Sequence, residues 1–487
     1  MVTPPVTVAG GWAPTAASVE IRRVPGEPMV EIAAVFRAVL PDGRVVAGEA
    51  VADEYGHDET LSATSRSPQA VLLPETTEEV SALLAVADEH RIPVTARGAG
   101  SGLSGAVIPD HDGVVVSFER MDRILEIDTA NGVAVVEPGV RLADLDAELA
   151  PLGLVYPVRP GEESATLGGT VATNAAGMRA VRYGVTRNHV LGLELVLAGG
   201  EVMRTGGKIV KISSGYDLTQ LVIGSEGTLA LVTRIWLKLS RRPVLTRTVL
   251  APFAELEQVT AAVPHILAAG LDPLILEYID MLTMAGIVRR VGGELGIPGD
   301  VRDATPAYLV VQLDGDREAR VEEDVLTLGE LLTGELGATD AYVLPGEAAA
   351  TLITAREQAF YSAKEAGFHD LIDVVVPRAA LSDYVRRVGE IAEQHDSLVV
   401  GCGHAGDGNV HMSVHQGDPE IRERVMEALL SAGIELGGAI SGEHGIGRHK
   451  RPWFLAMSDP VSLRLMRGVK ATFDPSGILN PGAVLDV

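Results

Sequence analysis

His404 and His411 bracket the run His-Ala-Gly-Asp-Gly-Asn-Val-His, and Glu443-His444-Gly445 begins 32 residues after the second histidine. Two imidazoles and one carboxylate form a recurring ligand set for a divalent cation that keeps open positions, where substrate oxygens can bind. His404, His411 and Glu443 are therefore the candidate ligands, for zinc, manganese or iron, and His444 is a spare imidazole beside them. A lone histidine would be read as the polar end of a strand; a cluster at this spacing is read as a site.

The ligands need an element that gathers them. Leu398 to Gly403 is apolar and β-prone, Ala405 to Asn409 has the composition of a tight turn, and Val410 to Val414 alternates like a returning strand. This pattern predicts a hairpin that brings the two imidazoles together. Asp407 is read as a turn former rather than a ligand, because Asp-Gly-Asn suits positive φ at a hairpin tip.

The chain has 487 residues, enough for two or three domains, and 46% hydrophobic content, enough to fill large cores. Disordered and collagen-like classes drop out. A formal charge of -26 repels nucleic-acid phosphates and anionic membrane surfaces, and no basic patch offsets it, so no nucleic-acid partner is expected. The single cysteine, Cys402, excludes an internal disulfide and an iron–sulfur cluster held by this chain alone. Residues 1–20 lack a basic start followed by an apolar core and read as a loose tail, so the expected location is cytoplasmic, with a peripheral position at the inner membrane face as its variant. No apolar run reaches membrane-spanning length.

Glycine-rich segments organise the first half. Thr76 and Glu79 form a capping-box pattern, and Val80, Leu83, Leu84 and Ala87 recur on one helical face up to His90. Ile92 to Ala96 then reads as a short buried strand feeding Arg97-Gly-Ala-Gly-Ser-Gly-Leu-Ser-Gly105. Glycines there let successive backbone N–H groups close on a diphosphate. Gly100 to Gly105 also satisfies G-x-G-x-x-G, but Pro109, Asp110, Asp112 and Gly113 break the helix that a nicotinamide fingerprint requires. A second segment runs from Pro160-Gly161 through Thr166–Asn174 to Gly177, with Tyr183-Gly184 after it, and Gly224-Ser-Glu-Gly-Thr228 is the third. Three such stretches suggest backbone wrapped around a long cofactor.

Over roughly residues 66–242 these motifs resemble the flavoprotein family of the vanillyl-alcohol oxidase and p-cresol methylhydroxylase type, in which FAD lies extended between two α+β subdomains. His404–His411, Ser441-Gly-Glu-His-Gly-Ile-Gly447 and Phe473-Asp-Pro-Ser-Gly-Ile-Leu-Asn-Pro-Gly482 look like the branch holding D-lactate dehydrogenases, glycolate oxidase flavin subunits and D-2-hydroxyglutarate dehydrogenases. The resemblance implies an α+β fold with an N-terminal extension, 1–65, and a two-subdomain FAD-binding domain of the p-cresol methylhydroxylase (PCMH) type, 66–242. It further implies an antiparallel-sheet cap or substrate domain carrying the metal site, 243–470, and a C-terminal segment that returns to the flavin, 471–487. The β-prone runs within 272–313 and 369–415, and the helical pattern from Glu322 to Leu336, agree with such a cap.

The resemblance also implies roles. His404, His411 and Glu443 hold the metal, and His444 is the base that takes a proton from the substrate hydroxyl. Arg356, in Thr354-Ala-Arg-Glu-Gln358, grips the substrate carboxylate, for which a planar guanidinium is suited, and Asn409 is assigned to substrate binding with it. The cofactor contacts are Arg97, Gly98, Ala99, Gly100, Ser101, Gly102 and Ser104 from the first loop, and Pro160, Gly161, Thr166, Gly168, Gly169, Thr173 and Gly177 from the second. Tyr183, Gly184, Glu226, Gly227 and Asn480 complete the set. FAD is expected to be non-covalent, because Ser101 and the absence of cysteine before Cys402 leave no attachment point of the kind relatives use. The reaction implied is oxidation of a D-2-hydroxy acid to the 2-oxo acid. Electrons would pass to a quinone, an electron-transfer flavoprotein, a cytochrome or an iron–sulfur partner rather than NAD; a homodimer is left open. Phe360, Tyr361 and Leu371 follow the arginine, with Lys364 the only local cation, where the hydroxyglutarate branch carries polar or cationic groups, so a D-lactate-like monocarboxylate is favoured. The alternative is a flavin- and metal-containing relay or structural subunit of a glycolate-oxidase-like complex, inactive alone.

Overall fold

Alternation of apolar residues with period two builds most of this molecule. The computed structural model describes residues 32–486 apart from 42, 111, 292–297, 300 and 302–304. The expected tail at residues 1–20 lies outside them.

The first subdomain is a four-stranded sheet in the order β1 (Val45–Ala47), β2 (Ala70–Leu72), β4 (Val114–Ser117), β3 (Val94–Arg97). The last three strands are parallel and β1 runs antiparallel at the edge. The sheet thus begins upstream of residue 66, the boundary expected for this domain. Arg44, just before β1, pairs with Glu79 on the helix Thr77–His90. That helix has half of the expected capping box: the Thr76 hydroxyl accepts from the Glu79 N–H, while the Glu79 carboxylate turns to the Glu75 N–H at 2.8 Å. After β3 no helix opens at Gly100–Gly105; the chain turns and enters β4.

The second subdomain is an antiparallel sheet of β5 (Ile124–Asp128), β6 (Val133–Val136), β10 (Leu231–Lys238), β8 (Val190–Val196) and β9 (Val202–Gly206), in that spatial order. A two-stranded ribbon, β7 (Leu154–Val155) with β11 (Ser240–Arg241), leads out of it.

The third sheet has seven strands in the order β15 (Tyr342–Val343), β12 (Leu245–Phe253), β14 (Ala307–Gly315), β13 (Ile275–Asp280), β17 (Leu398–His404), β18 (Asn409–His415), β16 (Asp370–Val375). Every printed pairing in it is antiparallel. Its two faces differ in chemistry. Leu276, Tyr278, Ile372, Val374, Val410, Met412 and Val414 point into one core, closed by the helices Leu256–Ala268, Glu318–Gly334, Leu381–Gln394 and Pro419–Glu435. Residues one position along these strands, among them Glu277, Asp373, Cys402, His404, His411 and Ser413, belong to the opposite face. Apolar members of that face pack on the helices Met281–Val291 and Gly346–Glu357. The period-two rule therefore sorts a greasy face from a polar one.

The C-terminal segment returns to the first subdomain: the Val94 N–H donates to the Ile478 carbonyl at 2.8 Å and the Asn480 N–H to the Val94 carbonyl at 2.8 Å. Lys470 fastens it, donating to the carbonyls of Thr228 and Leu479 at 2.8 Å each. No helix among the described residues is long and apolar enough to cross a membrane.

Candidate active site

The hairpin β17–β18 forms as its alternation predicts, with Cys402 opposite His411 and His404 opposite Asn409. Gly408 makes the turn possible: its φ is +85°, and a Cβ there would lie 2.1 Å from the Val376 carbonyl oxygen. Asp407 acts as the turn former, its carboxylate accepting the Asn409 N–H at 3.3 Å. The imidazoles of His404 and His411 meet edge to face, centroids 4.9 Å apart.

The second motif approaches from the loop after the helix Pro419–Glu435. Glu443 Oε1 lies 3.1 Å from His404 Nε2, 3.0 Å from His411 Nε2 and 3.9 Å from His444 Nε2. Burial opposes a charge on Glu443, yet His404 and His411 hold its carboxyl well below the usual range. For His404 burial would favour the neutral ring, but Glu277 and Glu443 raise it well above the usual value. His444 is pushed down to about 4, chiefly by burial, and is neutral at ordinary pH.

Asp373 shapes that loop. Its Oδ2 accepts the Ser441 hydroxyl at 2.7 Å, the backbone N–H of His444 at 2.8 Å and that of Gly442 at 3.1 Å, with Lys450 Nζ at 3.4 Å. Oδ1 accepts from Asn409 Nδ2 at 2.9 Å. Burial alone would raise the Asp373 carboxyl, but His444, Lys450 and His411 hold it low. Two overlapping ligand groups result: His404, His411 and Glu443, and separately Asp373, His411 and His444, each with its ligand atoms within 4.8 Å of one another. The first contains Glu443 Oε2, buried without a hydrogen-bond partner among the described residues. In the second the carboxylate already holds Lys450 and a ring of N–H donors, so the first group is the better fit for a cation.

Arg356 is buried on the helix Gly346–Glu357, not on the surface, and its partner is Glu277: NH2 to Oε2 is 2.7 Å. The other Glu277 oxygen lies 2.7 Å from His404 Nδ1. Arg356 Nε has no hydrogen-bond partner among the described residues. Sequence reasoning missed Glu277, Asp373 and Lys450. The available signal was a carboxylate inside an apolar strand, as in Leu274-Ile-Leu-Glu-Tyr-Ile279 and Leu371-Ile-Asp-Val-Val375, where an unpaired charge would be prohibitively costly.

A cavity of about 650 Å³ joins this cluster to the glycine loops. His404, His411, Glu443, His444 and Arg356 line it, and so do Arg97 to Ser104, Pro160, Gly161, Thr166, Gly168, Gly169, Thr173, Glu226 and Gly227. Gly98 sits so close to Thr166 that a Cβ would fall 2.1 Å from its hydroxyl, which brings the first two loops together at backbone distance. An elongated space lined by loop backbone suits a dinucleotide-sized cofactor.

Five expected residues lie outside that lining. A Cβ on Gly177 would lie 2.1 Å from the Arg159 carbonyl oxygen and one on Gly184 2.3 Å from Asn188 Oδ1, so these glycines answer to crowding by the chain itself. The Tyr183 carbonyl meets His189 Nε2 at 2.9 Å. Asn480 Nδ2 donates to the carbonyls of Ala106 and Glu226, both at 2.8 Å. Asn409 spends its amide on Asp373 and the Val374 carbonyl, and its role here is to brace the hairpin.

Comparison with known proteins bears on what such a cavity holds. Residues 68–206 match the FAD binding domain family, and residues 242–484 match the family of FAD linked oxidases, C-terminal domain. An uncharacterized FAD-linked oxidoreductase of Mycobacterium tuberculosis is 53% identical over 94% of this chain and 99% of its own. The D-lactate dehydrogenase of Archaeoglobus fulgidus is 38% identical over 89% and 96%, and the glycolate oxidase subunit GlcD of Bacillus subtilis 36% identical over 88% and 91%. Among solved structures, p-cresol methylhydroxylase with substrate bound aligns over 95% of this chain and 98% of that one, with a TM-score of 0.76 at 19% identity, a likeness of fold alone.

Proposed function

Because this chain belongs to the FAD-linked oxidases of the vanillyl-alcohol oxidase and p-cresol methylhydroxylase type, we propose that it oxidises a D-2-hydroxy acid, a D-lactate-like monocarboxylate foremost, to the 2-oxo acid and passes the electrons to an acceptor other than NAD. The observation that carries this reading is the single cavity shared by the glycine loops, the His404–His411–Glu443 cluster, His444 and Arg356.

Each residue has a defined task in it. Arg356 takes the substrate carboxylate through its unpartnered Nε face, while Glu277 keeps the guanidinium from turning away. His444, neutral and beside the cluster, accepts the hydroxyl proton at Nε2. His404, His411 and Glu443 would hold a divalent cation. Bound FAD would supply the two-electron acceptor for the C2 hydrogen, and a bound cation would lower the pKa of the hydroxyl. Phe360, Phe368, Leu371 and Val400 line the same cavity, and Lys364 is paired with Glu59 at 2.5 Å, so the walls near Arg356 favour an apolar substituent over a second carboxylate.

The test is anaerobic flavin bleaching against a panel of D- and L-2-hydroxy acids. D-lactate or a close monocarboxylate is expected to bleach the flavin band, with its L-enantiomer and D-2-hydroxyglutarate far slower. A second reading draws on the subunit GlcD: a relay or structural component of a larger complex. A purified chain that carries FAD and metal yet is bleached by no 2-hydroxy acid would favour that reading and overturn the first.

A further inference from the structure

Three imidazoles turn the same way. The Nε2 atoms of His404, His411 and His444 face Glu443 Oε1 at 3.1, 3.0 and 3.9 Å. Their Nδ1 atoms face other carboxylates: His404 meets Glu277 Oε1 at 2.7 Å, His411 meets Asp373 Oδ1 at 3.8 Å, and His444 meets Asp373 Oδ2 at 3.8 Å. Both backing carboxylates are buried, Glu277 and Asp373 at 0% exposure, and both stand on the sheet face that carries His404 and His411.

A neutral imidazole has one N–H and one lone pair, whereas an ionised carboxylate only accepts. We propose that Glu277 and Asp373 are positioning residues which select the Nδ1–H tautomer of all three imidazoles, so that each Nε2 lone pair is presented at one point before Glu443. His404 and His411 then offer lone pairs to a cation, and His444 offers one to a proton. The opposite tautomer would aim an N–H at the cation's place and leave His444 unable to act as a base. The division of labour among the histidines rests on the function proposed above; the tautomers themselves do not.

The two carboxylates are held as acceptors by different neighbours. Asp373 takes the Ser441 hydroxyl, backbone N–H groups of the Ser441–His444 loop and Lys450. Glu277 takes Arg356 on its second oxygen at 2.7 Å, so one side chain sets both the His404 tautomer and the guanidinium. This makes the conservative variants informative. In Glu277→Gln the single amide oxygen must turn to Arg356, a pure donor, which leaves the NH₂ facing His404 Nδ1 and forces that ring to carry its proton on Nε2. In Asp373→Asn the oxygen must stay with the loop donors at Oδ2, which leaves the NH₂ at the Oδ1 position facing His411.

The experiment is long-range ¹H–¹⁵N correlation spectroscopy of the FAD-loaded protein with ¹⁵N-labelled histidine, before and after addition of zinc and without substrate, with zinc affinity measured by chelator competition. The parent should show protonated Nδ1 and unprotonated Nε2 on His411 and His444, and on His404 once zinc is bound. Glu277→Gln should perturb His404 and leave His444 as in the parent; Asp373→Asn should perturb His411 and leave His404. Each should lower zinc affinity by about 10–100-fold. A parent with Nε2–H on His444, or variants whose imidazole signals change together or not at all, would overturn the proposal. The parent spectrum decides alone if a variant fails to fold. Failure of every 2-hydroxy acid to reduce the flavin, with these tautomers in place, would count against the proposed reaction only.

Discussion

His411 and His444 lie nearly parallel, ring centroids 4.8 Å apart and planes 19° from coplanar, and reach the same Glu443 oxygen from one side. Two like side chains this close can carry different duties only if the cation has a fixed place. With it among His404, His411 and Glu443, Glu443→Ala should lose metal and activity together, since two histidines retain the ion poorly. His444→Ala should keep metal and FAD and slow flavin reduction by roughly 10²–10⁴-fold. Metal analysis beside stopped-flow flavin reduction checks both. A His444→Ala protein stripped of metal would instead place the cation in the Asp373, His411 and His444 group.

Arg356 is more than an exposed helix arginine, since Glu277 is its buried partner. Arg356→Ala should lower kcat/KM by an amount worth about 2–5 kcal/mol, mostly through KM, because the substrate carboxylate loses its charged partner. The same change strands Glu277 without a counter-charge, so it should also lower the denaturation midpoint. Arg356→Lys should recover much of the stability and little of the kcat/KM, as an ammonium cannot reproduce the planar fork. Equal recovery of both would assign Arg356 a structural role only.

What the sequence disclosed followed from local rules. The β17–β18 hairpin was legible because alternation and Asp-Gly-Asn turn chemistry are read within a dozen residues. The edge strand Val45–Ala47 was not, because three residues carry no period and its pairing with β2 depends on chain 25 residues away. Glu277 and Asp373 escaped for a related reason: the strand pattern shows a charge in an apolar run, but its partners, Arg356 and the Ser441–His444 loop, come from distant segments. Gly177 and Gly184 were read as cofactor contacts because a glycine reports that something comes close, not whether it is a ligand or, as here, the chain's own carbonyl or amide.

The glycine loops offer FAD backbone and no attachment point: Ser101 sits in the first loop, and Cys402, the single cysteine, lies in the cap hairpin. Acid precipitation should therefore release FAD into the supernatant and leave a colourless pellet, read by absorbance of both fractions. A yellow pellet would mean a covalent link that the cavity lining does not suggest.

Glu226 ties the parts of the site together and should make stability depend on pH. It sits at φ +52°, uncommon for a residue with a Cβ, and its carboxylate accepts the backbone N–H groups of Ile446 at 2.7 Å and Gly447 at 2.8 Å. Its own carbonyl accepts from Asn480, so the third glycine loop, the Glu443–Gly447 loop and the C-terminal segment all meet at this residue. Burial pushes its carboxyl up from the ordinary 4.5 to about 7, against the two N–H bonds and the attraction of Lys450. The folded state thus holds this proton more tightly than the unfolded chain. The associated stability is present below about pH 4.5 and is lost as pH rises through about 7. Glu226→Gln has no such proton to lose, but it replaces one of two acceptor oxygens with a donor, at a cost of about 1–3 kcal/mol at every pH. The variant should therefore be the less stable protein near pH 5 and gain on the parent by about 3 kcal/mol on the way to pH 8. Urea denaturation midpoints across that range, at fixed FAD, measure the crossing curves. Parallel curves would show that Glu226 is ionised throughout, with its charge carried by the two N–H groups and Lys450.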